Sequence, residues 1–288
     1  MNAINSPFRY PGGKFYARKL ILSRLFPHNS YIEPFAGGAS IFFAKTKVKD
    51  NWLNDADSDL INCYHHIRDH VDSLITFLDG LPATKELHHY YKNQFTPQND
   101  LERAGRWYYL NRTSYSGIMN RQNCYWGYGD KFSMRPENWA RHLQRCSEKL
   151  QTVKITNQDF ETVIETAPDG SFLFIDPPYF NADQDKFYTC SFSTDDHYRL
   201  QAVLQKHAHR IKFLLTYDNS SEIYALYDWV SAIETQEWNY TINRTDDQKE
   251  KSSTKGKRYR GQELFITNYQ SDKSSIHAPA MVQLPLWE

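Results

Sequence analysis

Phe172-Leu173-Phe174-Ile175-Asp176-Pro177-Pro178-Tyr179 is the stretch whose reading decides the fold. Four consecutive apolar residues suit a strand buried on both faces of a parallel sheet, and such strands end at the carboxyl edge, where open α/β folds hold their ligands. Here the strand end delivers an acid, a stiff turn and an aromatic ring. The prolines fix φ and carry no N–H, which leaves the Pro177 carbonyl to accept. An exocyclic amino group suits this geometry: Asp176 and the Pro177 carbonyl accept its two N–H bonds while Tyr179 stacks on the base that bears it. Taken alone, the motif also suits an ordinary strand end closed by prolines.

Working outward, the chain before and after this strand alternates short apolar runs with amphipathic ones, as a parallel α/β protein does. The pattern predicts a strand over residues 31–35, a glycine turn at Gly37-Gly38 and a helix from Ser40. It then predicts a strand at 52–54 ending at Asp55, and a helix capped by Asp57 or Ser58. From about 60 to 150 helical segments dominate, among them 101–110 and one opened by Pro136 and ending near Leu150, with a polar, aromatic, exposed loop or hairpin over 111–132. Strands are expected again at 153–156, 172–175, 213–217, 230–233 and 264–267, with a helix over 194–209.

Two further motifs sit where a cofactor would. Glu33-Pro34-Phe35-Ala36-Gly37-Gly38-Ala39-Ser40 lets the backbone approach a ligand closely at the first strand-to-helix turn, yet the glycine pattern that cradles phosphates is missing, so a cofactor without phosphates fits better. Asp55, at the second strand end, is placed to accept from ribose hydroxyls; standing alone it would read as a capping or loop carboxylate. Phe8-Arg9-Tyr10-Pro11-Gly12-Gly13-Lys14 can close over a ligand or form a plain turn.

Together, and in this order, these motifs resemble the Dam-like DNA adenine-N6 methyltransferases, the alpha group of amino methyltransferases. The resemblance spans residues 7 to about 269 and includes Asn54-Asp55-Ala56-Asp57-Ser58-Asp59-Leu60-Ile61. It implies a Rossmann-like α/β sheet, a catalytic domain of residues 1–59 and 151–269, a helical target-recognition domain at 60–150 and a tail at 270–288. It also implies S-adenosylmethionine as cofactor. Tyr10, Lys14, Asp55 and Asp176 fall on cofactor-contacting positions, with Glu33, Phe35, Gly37 and Gly38 around them. Asn157-Gln158-Asp159-Phe160 matches the strand end that cradles the cofactor adenine, which adds Asp159 and Phe160. Asp176, Pro177, Pro178 and Tyr179 become the catalytic set acting on a flipped adenine of double-stranded DNA. RNA adenine or cytosine N4 would also satisfy an acid and a stacking ring, and a DNA-binding module with a degenerate pocket is a further alternative.

Lys plus Arg and Asp plus Glu both count 34, so a polyanion must be held by local patches. One is the run from Lys249 to Arg260, containing Lys255, Lys257 and Arg258, which reads as a phosphate-gripping loop. Another is the insert, where Arg112, Tyr115, Ser116, Asn120 and Arg121 lie in the segment resembling the recognition hairpin. Asn120 stands where Dam-type enzymes carry a guanine-reading arginine, so recognition of GATC does not transfer. The four cysteines, Cys63, Cys124, Cys146 and Cys190, show no metal-type spacing and the histidines no partner at ligand spacing, so no metal is expected. No run approaches the roughly 20 apolar residues of a membrane helix. A bacterial cytoplasmic enzyme, nucleoid-associated when on DNA, is the expectation, in restriction-modification or as a solitary regulator. The tail ends in Gln283-Leu284-Pro285-Leu286-Trp287, similar to the peptide with which replication proteins dock on the bacterial sliding clamp; Leu284, Leu286 and Trp287 equally suit folding back on their own core.

Overall fold

The computed structural model describes residues 3–129, 133–181, 189–239 and 260–270. Its strands are β1 (Ser30–Glu33), β2 (Asp50–Asn54), β3 (Lys154–Thr156), β4 (Phe172–Ile175), β5 (Lys212–Asp218), β6 (Ala232–Asn239) and β7 (Arg260–Thr267). They form one seven-stranded sheet in the order β3-β2-β1-β4-β5-β7-β6. β1 to β5 run parallel, and β7 lies antiparallel between β5 and β6. The order turns back between β1 and β4, which opens a crevice at their carboxyl ends, the switch point where such sheets bind ligands. Both the Glu33 to Ser40 turn and the Asp-Pro-Pro-Tyr turn leave the sheet there.

All four residues of β4 are buried, because helices cover both faces. Alternation along the strands feeds two cores. Phe172, Phe174, Leu214 and Phe265 face one, with Ile21 of α1 (Arg18–Leu22), Ile41 of α2 (Ser40–Ala44) and Leu60 of α3 (Ser58–Asp69). Between β2 and β3 the chain continues from α3 through α4 (Val71–Leu78), α5 (Lys85–Asn93), α6 (Asp100–Thr113) and α7 (Trp139–Leu150). Leu173, Ile175, Leu215 and Ile266 face the other core, with Val163 of α8 (Phe160–Thr166), Leu200 of α9 (Thr194–His207) and Ile223 of α10 (Ser221–Leu226).

The helix over 58–69 is capped by Asp57, whose Oδ1 accepts from the Asp59 and Leu60 amides at 2.9 and 3.1 Å. The first strand stops two residues short of the expected 35, and the helix after the glycine turn is only five residues long. The strand expected at 230–233 instead runs from Ala232 to Asn239, because it pairs along the whole of β7. The largest departure is in the insert. α6 continues to Thr113, so Asn111, Arg112, Thr113 and Ser114 are a buried helix end rather than the start of an exposed loop. The hairpin begins beyond it, with an antiparallel bridge between Ser114 and Trp126 and the Tyr115 amide donating to the Tyr125 carbonyl at 2.8 Å. Among the described residues no helix is long and apolar enough to cross a membrane.

Candidate active site

The end of β4 meets the N-terminal motif. Asp176 Oδ1 accepts from Thr216 Oγ1 at 2.7 Å and lies 2.7 Å from Lys14 Nζ, so one oxygen carries two donors and the carboxylate plane is fixed. Thr216 is the β5 residue that follows Leu215, the register partner of Ile175. Lys14 is buried, donates to the Gly12 carbonyl at 3.1 Å, and stands 4.9 Å from the centroid of the Tyr179 ring. A third group joins them: Glu263 of β7, 2% exposed, with Oε2 3.7 Å from Lys14 Nζ. The turn beyond Tyr179 is held by Asp218 at the end of β5, which accepts from the Phe180 amide at 3.1 Å and from Asn181 Nδ2 at 2.8 Å.

The cofactor-side residues gather at β1 and β2. Asp55 Oδ2 accepts from the Gly37 amide at 2.8 Å and Oδ1 from the Asp57 amide at 3.0 Å. Gly37 has φ +45°, and a Cβ there would come within 2.9 Å of the Tyr10 ring, so the ring lies directly over the turn. Phe35 and Phe160 stack with centroids 5.3 Å apart. Asn54, buried and not anticipated as a functional position, staples three strand ends: its Nδ2 donates to the Pro34 and Gln158 carbonyls at 3.0 and 2.9 Å, and its Oδ1 accepts from the Gln158 amide at 2.9 Å. Asp159 caps α8 and pairs with Arg199 at 2.9 Å on the exposed side. These residues fit S-adenosylmethionine: a carboxylate at the second strand end for a diol, flat rings for a purine, and a glycine turn, roofed by the Tyr10 ring, without a phosphate cradle.

Burial governs the carboxyl groups of this edge. It pushes Asp55 up to about 6, against hydrogen bonds from the Asp57 and Gly37 amides that favour the charged form. Glu263 is pushed to about 7 by burial, with Lys14 opposing and Asp176 reinforcing the rise. Glu33 is pushed to about 8 by burial, although the Tyr31 hydroxyl and the Phe42 amide both donate to its Oε1, at 2.7 and 2.8 Å. The direct cofactor contact expected of Glu33 is corrected in that respect: it is 1% exposed and this oxygen ties β1 to α2.

On the insert, Tyr115 and Arg121 are exposed, and Ser116 adopts a left-handed φ of 53°. Asn120 is half-buried and its Oδ1 accepts from the Gln122 amide at 3.0 Å. Arg112 is the exception. It is 6% exposed with Nη1 3.5 Å from the Pro7 carbonyl, so the surface DNA contact expected of it is corrected to a strut beneath the N-terminal motif. Asn111 clamps that motif more tightly, accepting from the Arg9 amide at 3.0 Å and donating to the Arg9 carbonyl at 2.8 Å. Gly117, at φ +72°, lies so close to Arg9 that a Cβ would collide with the Arg9 carbonyl. The hairpin is thereby fastened to the loop that carries Tyr10 and Lys14. Lys255, Lys257, Arg258 and the peptide Gln283, Leu284, Leu286 and Trp287 lie outside the described residues. Thr216 and Glu263 were missed: Thr216 left a sign, a polar side chain after the apolar run Phe213-Leu214-Leu215, whereas Glu263 stands among Arg260 and Gln262 at the polar start of its strand.

A Type II methyltransferase, M1.LlaDCHI of Lactococcus lactis subsp. cremoris, is 28% identical over 93% of this chain and 97% of its own length. The DNA N-6-adenine-methyltransferase of Escherichia phage P1 is 30% identical over 77% of this chain, which corresponds to 31% of that longer protein. The DNA adenine methylase of Escherichia coli K12 is 26% identical over 68% of this chain and 74% of its own. Residues 10–242 match the family described as D12 class N6 adenine-specific DNA methyltransferase. That assignment favours adenine N6 of DNA over the RNA and cytosine alternatives, and the chain belongs to the D12 class of N6 adenine-specific DNA methyltransferases.

Proposed function

We propose that this chain binds S-adenosylmethionine in the crevice between β1 and β4 and methylates N6 of an adenine swung out of duplex DNA. The carrying observation is Asp176, its Oδ1 fixed by Thr216 and Lys14 at the end of β4. Adenine N6 is a poor nucleophile because its lone pair is delocalised into the ring. Asp176 and the Pro177 carbonyl accept its two N–H bonds and favour a more pyramidal nitrogen, Pro178 stiffens the turn, and Tyr179 stacks on the base. S-adenosylmethionine supplies the electrophilic methyl group, carried on a sulfonium. Tyr10, Lys14, Phe35, Gly37, Gly38, Asp55 and Phe160 would hold it, with Asp159 at the rim. Positioning of this kind supplies several kcal/mol, about 7 or more in favourable cases, of barrier reduction.

In this reading residues 1–59 and 151–269 are the catalytic domain, and the insert at 60–150 reads the target through the hairpin carrying Tyr115, Ser116, Asn120 and Arg121, while Lys255, Lys257 and Arg258 grip phosphates. The work is site-specific modification of cytoplasmic DNA, within a restriction-modification pair or alone. Incubation with radiolabelled cofactor and mixed-sequence duplex, followed by digestion to nucleosides, tests this: label in N6-methyladenine is expected, and label in N4-methylcytosine or in RNA alone would refute it. Tethering to a sliding clamp through Gln283, Leu284, Leu286 and Trp287 belongs to the same proposal. Removal of residues 281–288 should abolish binding to purified clamp while sparing methylation of short duplexes; a loss of folding stability without clamp binding by the intact chain would end that part of it.

A further inference from the structure

Glu263 is a buried ionisable group that the account above leaves without a task. Its strand, β7, is packed between β5 and β6, and its register partners are Asp218 and Gln236. A carboxyl group on a central strand is costly to bury, and an apolar residue there would serve packing alone better. The groups facing it are Lys14 from the N-terminal loop, Asp176 and Tyr179 from the turn after β4, Asp218 across β5 and Gln236 across β6; Gln236 donates to Glu234 at 3.3 Å. Lys14 is thus flanked by two carboxylates, Asp176 at 2.7 Å and Glu263 at 3.7 Å.

We propose that Glu263 is a positioning residue for methyl transfer, which draws Lys14 into a shared pair so that Asp176 keeps the negative character needed at adenine N6. The inference rests on the functional reading of Asp176 given above. A lone Lys14–Asp176 pair is electrically neutral, whereas the triad with an ionised Glu263 carries one net negative charge. As the methyl carbon leaves the sulfonium sulfur and bonds to N6, the nitrogen gains a fourth substituent and positive charge builds on it until one of its protons departs to solvent; a preorganised negative site in a low-dielectric crevice favours that charged state over the starting one. Glu263 acts through Lys14 and need not touch the base. Because burial holds its carboxyl near neutrality, the charge of the triad changes across the working pH range.

The test is a single-turnover pH profile on the full chain with a saturating duplex, between about pH 6 and 9. The wild type should accelerate with pH, and Glu263→Gln should lose that limb and run roughly tenfold slower at the alkaline end. Glu263→Asp should keep a limb with a displaced midpoint. In the free protein, the infrared difference between wild type and Glu263→Gln should hold one protonated-carboxyl component that titrates away with rising pH, on top of those of Asp55 and Glu33 common to both, which reads the same group without turnover. A flat wild-type profile, or a Glu263→Gln enzyme that keeps the limb and the wild-type rate, overturns the proposal. Asp176→Asn run in parallel separates the two readings. If it is inactive while Glu263→Gln matches wild type, only the role of Glu263 fails; if it too is active, the assignment of the site fails.

Discussion

The sheet edge and the helical insert bury polar groups for opposite ends. At the edge, Lys14, Asp176, Glu263 and Glu33 crowd the switch point, and burial drives Glu263 and Glu33 up against their charged forms. On the insert's inner face several buried polar groups are neutral side chains matched pairwise: Asn111 with both backbone groups of Arg9, His88 with Thr113 Oγ1 at 2.8 Å, His142 with the Ser6 carbonyl at 3.1 Å. The first arrangement stores electrostatic free energy that a reacting nitrogen can use, and the second fixes shape. Changes at the edge should therefore alter rate more than stability, and changes at the insert's inner face the reverse.

The sharpest way to break this contrast is Asn111→Ala. It leaves the Arg9 amide and carbonyl without their partner in an interior site, so a loss of about 2 to 4 kcal/mol of unfolding free energy is expected in urea titrations. Stability within experimental error of wild type would show that the hairpin is not fastened there. Next is Asp55→Ala, expected to weaken cofactor binding by about 1 to 3 kcal/mol in calorimetry with little effect on DNA affinity; unaltered affinity would remove Asp55 from the pocket. At the exposed tip, Arg121→Ala should relax the target at one base position, by about 1 to 3 kcal/mol of discrimination, as read by methylation mapping of a random-sequence library. A uniform drop at every sequence would assign it to phosphate instead.

The smallest effect concerns pH. Burial holds His142 down to about 4, so it stays neutral in the folded chain while the unfolded chain takes up a proton near its ordinary value of 6.5. The stability it contributes is complete above that value and is lost as pH falls toward 4. His142→Gln should flatten the acid side of the stability curve by about 1 to 2 kcal/mol between pH 6.5 and 4.5, and an unchanged slope would show that other groups dominate.

The residues that leave the sheet at its edge were legible because their chemistry is written locally: an acid and two prolines after an apolar run, a glycine turn after the first strand, an aspartate after the second. The expectations for Phe35, Asp55 and Asp176 arose that way, and the parallel sheet followed from β4 reading as apolar throughout. What stayed hidden depends on partners far along the chain. Glu263 reaches Lys14 across a separation of nearly the whole domain, and only the antiparallel insertion of β7 beside β5 brings them together. Arg112 has the composition of a surface contact and became internal because α6 runs three residues past Leu110, carrying it under Pro7. Glu33 lies in a motif that reads as a ligand turn, yet its carboxyl points inward to Tyr31 and Phe42.

Single-turnover methyl transfer by Asp176→Asn, with cofactor affinity measured on the same preparation, tests the central claim most directly. The substitution keeps the size of the side chain and its contact with Thr216 while removing the charge beside Lys14. A fall of at least about a hundredfold in rate, with the fold intact and DNA still bound, is the expected result. A rate within a few-fold of wild type would contradict the assignment of Asp176 as the acceptor of the adenine amino group.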